Sequence, residues 1–240
     1  MTSAPVLQLS AVSKRYGTLT AVSAADLAVA AGEIVGIRGA SGSGKSTLLR
    51  LLAAIEPPSS GEVRLGGVPA WRRRYGSWRR QVPRPGFVTA VFQDPLTSLD
   101  AHWPLWRSIT EPLMAGPRSG RPSRVARQAR AAQALAGVGL DHLDLLGPPT
   151  ELSVGQAQRV AILRAVIAAP AAVVADEPTS ALDVTTAAGI LALLRTVADA
   201  GTALVVVSHD QDMLAVLVDR VLPMTSGRLA SHGDAGLALT

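Results

Sequence analysis

The hydrophobic pattern of the chain changes period several times. Residues 6–12 and 21–29 are patterned as strands, and residues 33–38 form a short apolar run that leads straight into glycines. From Gly44 the apolar residues Leu48, Leu51, Leu52 and Ile55 recur at helical spacing until Pro57 and Pro58 end the run. Residues 87–92 predict a further strand. Past Gln93 the pattern turns helical. Pro122 and Ser123 open a predicted helix over residues 123–136, with Val125, Ala129, Ala132 and Ala136 on one face and Arg124, Arg127 and Arg130 elsewhere. A second predicted helix, residues 155–168, turns Val160, Leu163 and Ile167 inward. After Pro170, strands at 171–175 and 203–207 alternate with helices at 184–198 and 210–217, followed by short strands near Val221 and Leu229. This alternation predicts an α/β fold with a mainly parallel sheet covered on both faces.

Composition narrows the possibilities. A chain of 240 residues with 48% hydrophobic content buries a real core as one large domain. It has no cysteine, which excludes disulfide frameworks, thiolate metal sites and cysteine nucleophiles. His102, His142, His209 and His232 lack metal-ligand spacing, so a metalloenzyme is not expected. The net charge of +5 comes almost wholly from arginine, since Lys14 and Lys45 are the only lysines. Arg72, Arg73, Arg74, Arg79, Arg80 and Arg84 cluster among Trp71, Tyr75 and Trp78. The segment reads as a solvated surface loop or a patch facing anionic lipid, in preference to a nucleic-acid site. The first residues lack a signal-peptide pattern, and no run approaches the roughly 20 apolar residues of a membrane span. A cytoplasmic chain is expected, reaching the membrane only through a partner.

Two motifs carry the chemistry. Gly39, Ala40, Ser41, Gly42, Ser43, Gly44, Lys45, Ser46 and Thr47 spell a phosphate loop between a predicted strand and a predicted helix. Its glycines let backbone N–H groups converge on phosphate oxygens, Lys45 reaches the β and γ phosphates, and the Ser46 hydroxyl ligates magnesium. The strand VVADE brings Asp176 and Glu177 to the carboxyl edge of the sheet, where nucleotide sites of such folds lie. There Asp176 suits the magnesium shell and Glu177 suits a base that accepts a proton from the attacking water.

Together with the run ELSVGQAQR these motifs resemble the ATP-binding subunits of ABC transporters, over nearly the whole chain. The resemblance implies a P-loop core with an N-terminal antiparallel β part, residues 1–93 and 164–240, and an inserted helical subdomain, residues 94–163. It implies ATP and Mg²⁺ as cofactors, with Ser46, Gln93 and Asp176 around the metal and Glu177, His209 and Gln93 as catalytic residues. Tyr16 matches the aromatic that stacks on adenine, and His209 the γ-phosphate switch. Ser153, Val154, Gly155 and Gln156 match the signature that contacts ATP held by the opposite subunit, while Ser180, Ala181, Leu182 and Asp183 match the loop crossing that dimer interface. FQDPLTSLD and ADEPTSALDV look like the branch that energises uptake of oligopeptides, dipeptides and nickel. Its longer members carry a C-terminal extension, so the chain looks like a shorter subunit, closer to nickel or metal-chelate importers. The partners implied are a second ABC ATPase subunit, two membrane permeases and, indirectly, an extracytoplasmic substrate-binding protein. The expected place is the cytoplasmic face of the membrane.

Val154 departs from the pattern, because the signature has glycine there. Two readings follow. Either a β-branched residue is strained and bulky beside Ser153 and weakens the partner's ATP site, or a negative φ is tolerated there and the valine is harmless. A soluble ABC-type ATPase is the alternative function, either an accessory subunit of phosphonate C–P cleavage or a nucleic-acid-associated enzyme, and the basic segment around Arg72 is the feature pointing to it.

Overall fold

A computed structural model describes residues 4–180 and 182–230. The chain runs β1 (Leu7–Tyr16), β2 (Leu19–Val29), β3 (Ile34–Arg38), α1 (Lys45–Leu52), β4 (Ser60–Leu65), β5 (Val68–Pro69), β6 (Trp71–Arg74), β7 (Ser77–Arg80) and β8 (Val88–Val91). It continues through α2 (Leu105–Thr110), α3 (Arg124–Ala136), α4 (Val154–Val166), β9 (Ala172–Asp176), α5 (Val184–Asp199), β10 (Ala203–Val207), α6 (Gln211–Leu217), β11 (Arg220–Thr225) and β12 (Arg228–Leu229).

Strands β8, β9, β10, β3 and β11 pair in parallel in that order, and β12 closes the six-stranded sheet antiparallel to β11. Every residue of β9 and β10 is buried, as expected of central parallel strands covered on both sides. Their side chains alternate between two cores. Val174, Val205 and Val207 join α1 and a four-stranded antiparallel sheet, β2-β1-β4-β5, on one face. Val173, Ala175, Leu204 and Val206 pack under α5 and α6 on the other.

A third core, built on Leu105, Ile109, Leu135 and Leu140, holds α2 and α3 against α4. Helix α4 belongs to two cores at once, since Ile162 and Ala165 face the sheet while Val160 and Leu163 face α2 and α3.

Two expectations need correction. Val125, Ala129, Ala132 and Ala136 of α3 are all exposed, and the buried positions are Arg127, Ala131 and Leu135. Arg127 turns inward because its guanidinium finds partners there. Nε donates to Thr110 Oγ1 at 2.9 Å and the group lies 4.8 Å from the Trp106 ring centroid, so its stem can be buried. The basic segment is not an irregular loop either. Strands β6 and β7 form a hairpin with Arg72 opposite Arg79. Smaller differences lie at element ends. Helix α1 stops at Leu52, Ala54 takes φ 50°, and Ile55 is left half-exposed rather than on the helix's inner face.

The corrected face of α3 sets unequal costs for two truncations. Leu135→Ala, at a fully buried position, is expected to cost about 2–5 kcal/mol in denaturant unfolding. Val125→Ala, at a side chain 76% exposed, is expected to cost under about 0.5 kcal/mol. A larger cost for Val125→Ala than for Leu135→Ala would put the helix in the other register.

Candidate functional site

The phosphate loop joins the carboxyl end of β3 to α1. Gly42 (φ 79°) and Gly44 (φ 105°) are left-handed, a turn geometry that gathers successive N–H groups around an anion. At Gly44 a Cβ would also stand 2.2 Å from the carbonyl oxygen of Ala21. Lys45 donates from Nζ to the carbonyls of Gly39 at 2.6 Å and Ala40 at 2.9 Å, which fixes its charge over the loop. The Ser43 hydroxyl is buried with no partner of its own. An orphaned donor, a positive charge and left-handed glycines together fit a bound phosphate group.

The two acids arrive from β9. Ser46 Oγ donates to Asp176 Oδ2 at 2.8 Å, tying the first turn of α1 to the end of the strand. Burial pushes the Asp176 carboxyl above its ordinary value; the Ser46 bond opposes this and the neighbouring Glu177 reinforces it. A hydroxyl beside a carboxylate is a hard oxygen pair of the kind Mg²⁺ prefers.

Glu177 adopts φ 50°, an outlier for a residue with a long side chain. Its N–H donates to Val207 O at 2.9 Å, and its carboxylate accepts from Ser208 Oγ at 3.1 Å and the His209 N–H at 3.0 Å. His209 Nδ1 lies 2.8 Å from Glu177 Oε1, and this hydrogen bond holds the imidazole pKa above its usual value.

Tyr16, Gly39, Ala40, Ser41, Gly42, Gly44, Lys45, Ser46 and Thr47 line one cleft of about 710 Å³ together with Gln93, Asp176, Glu177 and His209. Ser43 lines an adjoining recess with Gly39 and His209. The Tyr16 hydroxyl donates to Glu56 Oε2 at 2.6 Å, and Lys14 Nζ lies 3.1 Å from the same oxygen. Burial works to raise the Glu56 carboxyl, yet the Tyr16 and Lys14 hydrogen bonds leave it below its ordinary value.

Ser153, Val154, Gly155 and Gln156 are not part of this cleft. Ser153 caps α4 in a reciprocal box, accepting from Gln156 N at 3.3 Å while its own N–H donates to Gln156 Oε1 at 2.8 Å. Val154 is the first residue of α4, outside the left-handed region, with its side chain 50% exposed. The strain that a left-handed valine would carry does not arise. Of the proposed interface loop, Ser180 Oγ donates to Glu177 O at 3.0 Å. Leu182 packs against the α5 and α6 core, and Asp183 caps α5 by accepting from Thr186 N at 2.9 Å. Ala181 lies outside the described residues.

Sequence reasoning passed over three residues. Ser208 donates to Glu177, Glu56 positions Tyr16, and buried Gln158 donates from Nε2 to Pro178 O at 3.0 Å, joining α4 to the loop after Glu177. Only Ser208, directly before His209 at the end of an apolar strand, had a local signal.

The Asp176 geometry sets a pH dependence. Because burial raises its carboxyl, the folded chain keeps that proton to higher pH than the unfolded chain, and stability falls as pH rises through this window. Asp176→Asn removes the fall. Without nucleotide or metal, its thermal midpoint is expected to exceed that of the parent at neutral pH, with the gap closing below pH ~4. A gap independent of pH would contradict burial as the cause.

Comparison with known proteins agrees with the geometry. The sequence profile described as ABC transporter matches residues 22–180. Over 223 residues the chain is 41% identical to the probable D,D-dipeptide transport ATP-binding protein DdpF of Escherichia coli (strain K12), covering 92% of this chain and 66% of that protein. It is 37% identical to the methionine import ATP-binding protein MetN of Brucella abortus (strain 2308), covering 97% of this chain and 60% of that protein. The chain thus spans less than two thirds of the length of either relative. A solved ATP-binding cassette, dimeric and bound to ADP and Pi after hydrolysis, superposes with a TM-score of 0.81 at 30% identity, covering 94% of this chain and 97% of that one. Phosphate loop, paired acids, a parallel core sheet and these matches have one explanation: the chain belongs to the ABC transporter family.

Proposed function

We propose that this chain is the ATP-binding and ATP-hydrolysing subunit of an ABC importer, at the cytoplasmic face of the membrane. The observation that carries the reading is the convergence in one cleft of Lys45, the Ser46–Asp176 pair, Gln93 and the Glu177–His209 pair. Dipeptide transport and methionine import are the named roles of relatives. They support an importer over a soluble ATPase. Within that class, a peptide, nickel or a metal chelate is the substrate proposed.

ATP with Mg²⁺ supplies the phosphoryl group to be transferred to water. Lys45 binds phosphate oxygens, and Ser46, Asp176 and Gln93 hold the metal. Glu177, oriented by Ser208 and His209, accepts the proton of the attacking water. Tyr16, fixed by Glu56, offers its ring to adenine.

Residues 1–93 and 164–240 serve as the ATP-binding core, and residues 94–163 as the helical subdomain that meets two permeases. The residues from Ser153 to Gln156 stand apart from the chain's own cleft, which suits donation across a dimer to the nucleotide of a second ATPase subunit, with Ser180 to Asp183 at the same interface. A substrate-binding protein outside the cell completes the transporter.

Glu177→Gln is expected to keep ATP binding and to lower phosphate release from the assembled transporter by on the order of 10²–10⁴-fold. Full hydrolysis in that variant would remove Glu177 from the mechanism. Val154→Gly, measured the same way, is expected to leave the rate within about twofold, because no backbone strain is there to relieve. A larger rise would mean that the valine side chain obstructs the partner's nucleotide.

A further inference from the structure

The hairpin of β6 and β7 has no role in the proposed ATPase. From residue 63 to residue 93 the chain contains no acidic residue, and Arg64, Arg72, Arg73, Arg74, Arg79 and Arg80 all fall in that stretch with Arg84. The register places Arg72 opposite Arg79 and Arg74 opposite Ser77, so that three guanidinium groups share one face of a two-stranded ribbon. Like charges directly opposite each other destabilise a strand pair, and none of the hairpin arginines has an ion-pair partner among the described residues. Arg72, Arg74 and Arg79 line a concavity of about 530 Å³ together with Arg73, Tyr75 and Ser77.

The hairpin is nevertheless firmly seated. Trp71 packs on the main core, Gln81 N–H donates to Ala70 O at 2.7 Å, Arg80 donates to Ala53 O at 3.3 Å and Arg84 to Ala169 O at 3.1 Å. Ala53 follows the last turn of α1, and Ala169 precedes the start of β9. Both lie at the end of the sheet away from the phosphate loop, so these arginines are not part of the nucleotide cleft.

The turn adds an independent observation. Tyr75 (φ 49°) and Gly76 (φ 77°) are both left-handed, the geometry of a tight hairpin in which asparagine or glycine carries less strain than tyrosine. Tyr75 is 92% exposed at this tip and Trp78 is 40% exposed on β7. Arginines without an ion-pair partner among the described residues, one of them stacked 5.4 Å from the Tyr75 ring centroid at an exposed tip, match the chemistry of a bilayer's headgroup region, where rings sit at the interface and guanidinium groups meet phosphates. Three arginines spread along one face of the ribbon suit an extended anionic surface better than one discrete phosphate.

We propose that the β6–β7 hairpin is a membrane-contacting element that binds the headgroups of anionic phospholipids. The inference rests on the membrane location proposed above only for bringing lipid within reach. The test is sedimentation of the full chain with vesicles of phosphatidylcholine alone, and with vesicles in which about a third of the lipid is phosphatidylglycerol. Binding is expected only to the anionic vesicles and is expected to weaken with salt. The triple variant Arg72→Gln, Arg74→Gln, Arg79→Gln is expected to lose on the order of 100-fold in partitioning. A control variant with Arg118, Arg121 and Arg228 changed to Gln, which removes the same charge from exposed positions elsewhere, is expected to bind as the parent does.

Titration with a fluorescent ATP analogue on each variant verifies the fold and keeps the two readings separable. ATP binding without vesicle binding overturns the hairpin assignment and leaves the ATPase reading intact. Equal binding to both vesicle types overturns it, as does equal binding by both triple variants. So does displacement of the vesicles by single-stranded oligonucleotide or by inorganic phosphate at matched phosphate concentration, since each names a different ligand.

Discussion

Strands β9 and β10 are buried on both faces, and that burial dictates where the chemistry lies. An ionised side chain within either strand would face a hydrocarbon core with no partner, at a cost of several kcal/mol. The end of the strand is where such a group can be placed, and there Asp176 and Glu177 meet the phosphate loop from β3, two strands away. The hydrogen bond from Ser46 to Asp176 joins residues 130 positions apart and aligns the loop with the acids. Glu177 then takes a left-handed backbone, a distortion held by Val207, Ser208 and His209.

A second dependence runs through α4. Its sheet-facing and subdomain-facing residues interleave along the same turns, so the two cores are joined by one helix rather than by a flexible linker. Gln158 adds a polar tie to Pro178, immediately after Glu177. The first turns of α4 and the loop that follows the strained glutamate are therefore joined directly, through residues 20 positions apart in sequence.

Much of this was legible along the chain because its causes are local. A strand running into glycines and then a helical repeat is written within residues 33–55, and the two acids end a run too apolar to be anything but a buried strand. The inner face of α3 was not legible. Small alanines mark no side clearly, and the decisive residue, Arg127, is buried only because Trp106 and Thr110, remote in sequence, receive it. The hairpin was missed for a related reason: its turn is Tyr-Gly rather than the Asn-Gly that usually announces such a loop. Glu56 and Gln158 carry no local signal, since each acts on a residue that only the folded chain brings near.

The shared helix also has a mechanical meaning. Thirteen residues make α4 a rod of about 20 Å, with Ser153 at its tip and its far half wedged against the sheet. Because the α2 and α3 core grips the rod from Ala157 to Ile167 and the sheet core grips it at Ile162 and Ala165, the position of Ser153 is set by both layers together.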